Sequence, residues 1–314
     1  MGIGNGFGKV ILFNEHFVVY GIPSIVSAIS DRTTATVAEQ RKVNDEQFVI
    51  VDSRPETPGY KKKKNQQQWK SIGLMLDYVA LNLLDKTLNI EFSGNLLAAS
   101  GVGSSAASCA AFARALNDEY GLGMGDHEIN QIAYEGEKAY HGRPSGVDNT
   151  AATYGGLIQF TKGEVPKFDH INVPKPVEIV IGNTGLVTNT EKAVEGVKNR
   201  MQNYQEKYNN IFEQARELIP KARSALENGN YKVLGELMFE NHNLLQQIEV
   251  SCPELDQLVR IAEENGALGA KMTGSGLGGY MVALTPGNEV QEKVASAIEN
   301  EGYKALRTTI GIRS

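Results

Sequence analysis

The segment Ala98-Ala-Ser-Gly-Val-Gly-Ser-Ser-Ala-Ala107 constrains the fold most, because it sits where a strand pattern at Leu88–Phe92 hands over to a helix pattern at about Ser104–Tyr120. Glycines at such a junction let the backbone approach a ligand. The first helix amides have no internal acceptor, and the helix dipole places its positive end at the same point. The junction is therefore suited to receive an anion, phosphate above all. No Gly-x-x-x-x-Gly-Lys-Ser/Thr string occurs in the chain, so a lysine for that phosphate has to come from elsewhere. Gly101, Gly103 and Ala106 also match Gly-x-Gly-x-x-Ala, which raises a dinucleotide-binding dehydrogenase as a rival. Against it, the acidic pair Asp118-Glu119 falls before Tyr-Gly-Leu-Gly and not at the tip of a second parallel strand.

Composition narrows the ligand. With 314 residues, 41% of them hydrophobic, the chain can build one large or two medium cores. A formal charge of −6 argues against a nucleic-acid surface and favours a small ligand. Cys109 and Cys252 lack the paired spacing of a zinc site and read as reduced thiols in a cytoplasmic protein. No apolar stretch approaches the roughly 18 residues of a membrane span, and no signal core opens the chain, so no membrane partner is expected.

Strand-like runs at Val10–Phe13, Phe17–Tyr20, Thr33–Ala38 and Phe48–Asp52 suggest an antiparallel opening. Tyr60–Trp69, with Lys61–Lys64 and Gln66–Gln68 back to back, reads as a solvated loop, a nucleotide lid or partner patch being the alternative; a helix follows from Ile72 to Leu84. A further helix is expected from Asp126, as its N-cap, to about Tyr140. Asn172-Val-Pro-Lys-Pro176 separates strands Leu157–Phe160 and Val177–Ile181, which places a domain boundary between residues 1–174 and 175–314. Beyond it, apolar spacings of three and four predict one amphipathic helix from Glu191 to Pro220. Helices at Tyr231–Glu249, Pro253–Glu264 and Glu289–Glu299 alternate with strands at Gly269–Met272, Tyr280–Leu284 and Tyr303–Arg307. That pattern implies an α+β second domain.

Several charged positions stand out. Glu137 falls on the apolar helix face defined by Ile129, Ile132, Ala133, Gly136 and Tyr140, so it requires a metal ion or a cationic partner. A structural pair with Lys or Arg would serve as well. Magnesium becomes attractive because Ser104 and Ser105 lie one helix earlier, and hydroxyl and carboxylate oxygens are hard ligands. Asp148, after the turn of His141-Gly-Arg-Pro-Ser-Gly-Val-Asp-Asn-Thr150, is either a helix cap or a reactive group. Lys9 precedes a strand, Glu15 and His16 occupy the turn after it, and Lys271-Met-Thr-Gly-Ser-Gly-Leu-Gly-Gly279 joins two strands. The glycines of that last segment mean close backbone approach or a tight hairpin.

Taken in order, Gly8–Gly21, Gly101–Ala107, Glu137 with His141–Asn149, and Lys271–Gly279 resemble the motifs of the GHMP kinases, across nearly the whole chain. The first motif is similar to the form found in the family's mevalonate-phosphorylating members; a galactokinase would carry an Asp-Tyr pair soon after Glu15-His16. The resemblance implies an α+β kinase with a ribosomal-protein-S5-like N-terminal lobe and a ferredoxin-like C-terminal lobe, with ATP and substrate between them. It implies ATP as co-substrate, Mg2+ as cofactor and mevalonate as substrate, and it is compatible with a homodimer. By the same resemblance Asp148 is the base and Lys9 its partner. Ser105 and Glu137 ligate magnesium, Gly101, Gly103, Ser104, Ser105 and Ala106 hold ATP, and Glu15, His16 and Thr190 meet the substrate. Phosphomevalonate kinase, homoserine kinase and a non-catalytic sensor are the alternatives within the fold. Two residues depart from the pattern: Asn14 replaces a usual Gly and Phe7 a usual Pro.

Overall fold

The computed structural model describes every residue except 43–45, 100, 165, 187–189 and 313–314. Two compact units emerge, each discontinuous in sequence: Met1–Lys9 with Ala28–Gly155, and Val10–Ser27 with Gly156–Ile312. Among the described residues no helix is long and apolar enough to cross a membrane.

The first unit is built from β1 (Gly2–Phe13) as far as Lys9, β2 (Ser24–Arg41) from Ala28 onward, β3 (Phe48–Asp52), α1 (Tyr60–Val79), β4 (Lys86–Ser93), α2 (Ser104–Tyr120), α3 (Asp126–His141) and α4 (Val147–Tyr154). Strand β4 pairs antiparallel with β2, Thr34 opposite Ser93, and parallel with β3, Phe48 opposite Leu88. Strand β1 also pairs with β2. Along β2 the residues alternate between partly exposed and buried from Ser30 to Ala38, as the two-residue period of a half-covered sheet requires. Helix α2 forms the centre of the core, its small residues Ala106, Ala107, Ala110, Ala111 and Ala115 all buried.

The opening Gly-x-Gly-x-Gly explains how closely β1 lies on that helix. A Cβ added to Gly2, Gly4 or Gly6 would come within 2.3, 2.2 and 2.1 Å of the carbonyl oxygens of Ala115, Ala111 and Ala107. Two strand residues advance about 6.8 Å and four helix residues about 6 Å, so alternate glycines meet successive helical turns. The same register brings Lys9 to the N-terminus of α2.

Four local expectations change here. Tyr60–Trp69 is not a loop but the first half of α1, which ends at Val79 and not at Leu84. Its inward residues begin with Gln68 and Ser71 before Ile72, Met75 and Leu76, so the apolar spacing shows only in its second half. Phe17–Tyr20 is a 3-10 turn closed by Gly21 at φ 79°, not a strand. Lys9 lies within β1, which begins at Gly2, not ahead of a strand. Asp126 is the first helical residue and Gly125 the cap, whose N–H donates to Glu128 Oε2 at 3.1 Å.

The second unit contains β5 (Leu157–Thr161), β6 (Lys167–Ile171), β7 (Val177–Asn183), α5 (Thr190–Asn203), α6 (Gln205–Glu227), α7 (Tyr231–Gln247), α8 (Pro253–Glu264), β8 (Gly269–Thr273), β9 (Tyr280–Leu284), α9 (Asn288–Asn300) and β10 (Lys304–Ile310). Its strands β10, β7, β9 and β8 pair antiparallel in that order. Strand β5 pairs antiparallel with Ser24–Ser27 and with β6, a strand the sequence reading did not anticipate. The single helix expected up to Pro220 is in fact two, broken at Tyr204, whose φ of −132° and ψ of 51° are not helical. Pro220 lies inside α6, which continues to Glu227.

Candidate active site

Within the first unit the N-terminus of α2 gathers the charged groups. Gly103 caps the helix at φ 73°, and a Cβ there would sit 2.6 Å from Lys9 Cγ. Only glycine fits both the left-handed conformation and this contact. The Lys9 backbone N–H donates to Val102 O at 2.9 Å, and its ammonium lies 2.9 Å from Asp148 Oδ1. Asp148 is the second residue of α4, whose cap is Gly146 at φ 88°, so Asp148 does not occupy the cap position. Its side chain is 31% exposed while that of Lys9 is 5% exposed, so the pair presents an acceptor outward and a cation behind it.

Glu137 lies close by and is 1% exposed. Burial, followed by the negative charge of Asp148, pushes its carboxyl up to about 8, against the Ser105 hydroxyl bond and the charges of Lys9 and Lys64. Its Oε1 has no hydrogen-bond partner among the described residues, and its Oε2 lies 3.6 Å from His141 Nε2. The structural Lys or Arg pair left open by the sequence is absent among the described residues. No three His, Cys, Asp or Glu side chains that could hold a metal gather among them. A cation here would have to take Glu137, a serine hydroxyl and oxygens from its ligand, and the unpartnered Oε1 fits that arrangement.

Ser104 and Ser105 face different ways. The Arg54 guanidinium, 5% exposed, donates through Nη1 to Ser104 Oγ at 3.2 Å, Ser108 Oγ at 2.7 Å and Thr33 Oγ1 at 3.1 Å. Its Nε and Nη2 hold both oxygens of Asp52, at 3.0 and 2.6 Å. Burial raises the Asp52 carboxyl, but the bonds from Arg54 outweigh it and hold the group below the usual carboxylate range. Sequence reading missed both residues; an Asp-x-Arg at a strand end carries no local signal that a helix N-terminus will rest on it. Asp52, Arg54, Lys61, Lys64, Ser104 and Ser105 line one cleft in this unit.

The second unit holds Glu15 and His16. Glu15 Oε1 accepts from the ammonium of Lys271, a fully buried lysine that also donates to Met272 O at 2.6 Å. Burial depresses the Lys271 ammonium and Glu15 opposes it. His16 Nε2 lies 2.8 Å from Ser275 O, and a carbonyl partner assigns the proton to that nitrogen. His16 Nδ1 is buried with no hydrogen-bond partner among the described residues, and burial above all lowers the imidazole's pKa. The glycine-rich segment after Lys271 forms the β8–β9 hairpin. Asn14 takes φ 70°, as a turn there requires, and uses its amide fully: Nδ2 donates to Pro23 O and Ala215 O, both at 2.9 Å, and Oδ1 accepts from Asn241 at 3.0 Å. Glycine would supply the φ but none of these bonds. At the other departure from the family pattern, Arg32 stacks on the Phe7 ring at 4.4 Å. Thr190 opens α5, but its side chain lies outside the described residues, as does Asn189.

Comparison with known proteins agrees with the motif reading. Family models for the GHMP kinases N terminal domain and GHMP kinases C terminal match residues 70–156 and 222–305. The chain is 34% identical to a mevalonate kinase of Pyrococcus horikoshii, covering 96% of this chain and 93% of that protein. It is 32% identical to one from Methanothermobacter thermautotrophicus, over 97% of this chain and 96% of that protein. Among solved structures, L. major mevalonate kinase in complex with R-mevalonate superposes with a TM-score of 0.94 at 37% identity, covering 99% of this chain and 96% of that one. The Methanococcus jannaschii mevalonate kinase gives 0.80 at 26% identity, covering 98% of each chain.

Proposed function

The chain belongs to the GHMP kinase family, and from that premise we propose that it transfers the γ-phosphoryl of ATP to the primary hydroxyl of mevalonate, giving phosphomevalonate and ADP. The observation that carries the mechanism is the 2.9 Å pair of Lys9 and Asp148 beside the N-terminus of α2. Phosphoryl transfer needs alignment and charge stabilisation more than reactive groups. As the bond from the alcohol oxygen to γ-phosphorus forms, the bond to the β–γ bridging oxygen breaks and ADP leaves. The alcohol proton passes to the Asp148 carboxylate. Lys9, fixed by Val102 and Gly103, supports the developing charge on the alcohol oxygen.

The glycines Gly101 and Gly103 with the amides of Ser104, Ser105 and Ala106 receive the phosphates at a helix end made for anions. Ser105 and Glu137 would hold Mg2+, which supplies charge neutralisation on the phosphate oxygens. Glu137, buried and lacking a counter-charge on Oε1, supports that assignment. We assign Glu15, His16 and Thr190 to substrate contact by the family motif, and the lobes to residues 1–174 and 175–314, on either side of the prolines. The unpaired thiols Cys109 and Cys252 support a cytoplasmic location.

Coupled ADP release measured with mevalonate, homoserine, galactose and phosphomevalonate tests the substrate. Turnover with mevalonate above all others is expected. Asp148→Asn should lower kcat about a thousandfold and Lys9→Met about a hundredfold, each with ATP still bound. Near-parental turnover of a folded Asp148→Asn protein would remove the base from this scheme.

A further inference from the structure

Phosphate-binding loops of the Gly-x-x-x-x-Gly-Lys-Ser/Thr kind carry their own lysine, and this chain has none there. The phosphate tail of ATP carries several negative charges, so at least one further mobile cation is needed beside α2. The cationic side chains in and beside the cleft can be followed in turn. Lys9 is spent on Asp148 at 2.9 Å. All three Arg54 nitrogens are held by Asp52, Thr33, Ser104 and Ser108. Lys61 Nζ donates to Asp52 O at 2.9 Å. Lys62 and Lys63 are exposed and do not line the cleft.

Lys64 differs from all of these. It stands one helical turn beyond Lys61 on the same side of α1, which is why both reach the cleft while the two lysines between them do not. Lys64 is half-buried, and among the described residues it makes no ion pair or hydrogen bond. It lines the cleft together with Ser104 and Ser105, and its charge is felt electrostatically by Glu137 and His141. Burial and then the neighbouring Lys63 depress its ammonium, and the Glu137 charge only partly opposes them, so a nearby anionic ligand would favour the charged form. A lysine that gives up part of its hydration without gaining a partner is rarely left so by structural need.

We propose that Lys64 is the lysine of this phosphate site, delivered from α1 and not from the loop, and that its ammonium binds the anionic oxygens of the nucleotide's terminal phosphates. The inference rests on the kinase reading for the identity of the nucleotide but concerns a residue outside the family motifs quoted above. The Asp52–Arg54 bracket then has a second use: through Lys61 it fixes the turn of α1 that presents Lys64.

The test is a calorimetric titration of the full-length protein with ADP, ATP and adenosine, comparing Lys64→Met, Lys64→Arg and, as a control from the exposed part of the run, Lys62→Met. Loss of a charged hydrogen bond predicts about a 10- to 100-fold weaker Kd for ATP in Lys64→Met. Affinity for adenosine should stay at the parental value, Lys64→Arg should recover most of the loss, and Lys62→Met should be silent. In steady state the KM for ATP should rise while that for mevalonate holds. Parental ATP affinity in Lys64→Met, or equal loss for ATP and adenosine, would overturn the proposal. These titrations need no phosphoryl acceptor. Absent turnover of mevalonate by the parent would therefore sink the functional reading while the ATP titration still decided the role of Lys64.

Discussion

At the scale of the residue, Glu137 sets stability against function. Its carboxyl, raised to about 8 chiefly by burial, is protonated in the ligand-free protein at pH 6 and ionised at pH 9. In the unfolded chain it ionises near its ordinary value of 4.5, so the folded state binds more protons between those limits and loses stability as pH rises through them. Glutamine mimics the protonated form at every pH. Glu137→Gln should therefore melt above the parent already at pH 6 and by a wider margin at pH 9, both measured without metal, while Mg2+-dependent turnover falls. A melting advantage at pH 6 that vanishes at pH 9 would reverse the argument. The anomaly was legible in the sequence, because helical periodicity alone put a carboxylate among Ile129, Ile132 and Ala133. Its surroundings were not: Ser105 bonds Glu137 and the charges of Lys9 and Lys64 act on it from other elements, and no local pattern records such an approach.

At the scale of the element, the α2 junction was legible because glycine, hydroxyl and alanine composition changes abruptly at its start, and the observed helix begins and ends where that composition predicts. Helix α1 was hidden by its own chemistry, since Gln68 and Ser71 occupy inward positions where an apolar residue would have announced the period. The break at Tyr204 was hidden for the opposite reason: apolar spacing runs straight through it. The Gly-x-Gly-x-Gly of β1 carries a consequence for the site, because it sets the strand against α2 and so places Lys9. Gly6→Val would drive a side chain into Ala107 O, where even a Cβ comes within 2.1 Å. A loss of about 3 kcal/mol, the upper range for overpacking, is expected from the urea midpoint, with kcat reduced through displacement of Lys9. Gly73→Ala makes the matched control. No atom lies within 4 Å of a Cβ at that helical glycine, and the change should stabilise by about 0.5–1 kcal/mol. Equal midpoints for Gly6→Val and the parent would mean β1 does not rely on that close approach.

At the scale of the molecule, chain order and compactness part company. Pro174 and Pro176 mark the connector between β6 and β7, and that much a sequence can report. It cannot report that the second unit takes in Val10–Ser27, because the bonds that hold this segment span most of the chain. Thr273 Oγ1 accepts from Ile11 N at 3.2 Å and donates to Ile11 O at 3.0 Å. Asn241 is tied to Asn14, Ser24–Ser27 pair with β5, and the fully buried Lys271 has its counter-charge in Glu15, 256 residues away. A fragment of residues 175–314 would lose all of these together. Stranding the Lys271 ammonium alone costs about 3–5 kcal/mol by analogy with broken buried pairs, a large part of the roughly 5–15 kcal/mol that holds a domain folded. We expect that fragment to lack a cooperative thermal transition by near-ultraviolet circular dichroism. Lys271→Met in the same fragment should remove the stranded charge yet still fail to restore the transition, because Thr273 and Asn241 remain without their partners. A cooperative melt of the unsubstituted fragment would show that the early segment is dispensable, and that the buried lysine finds another way to be neutralised.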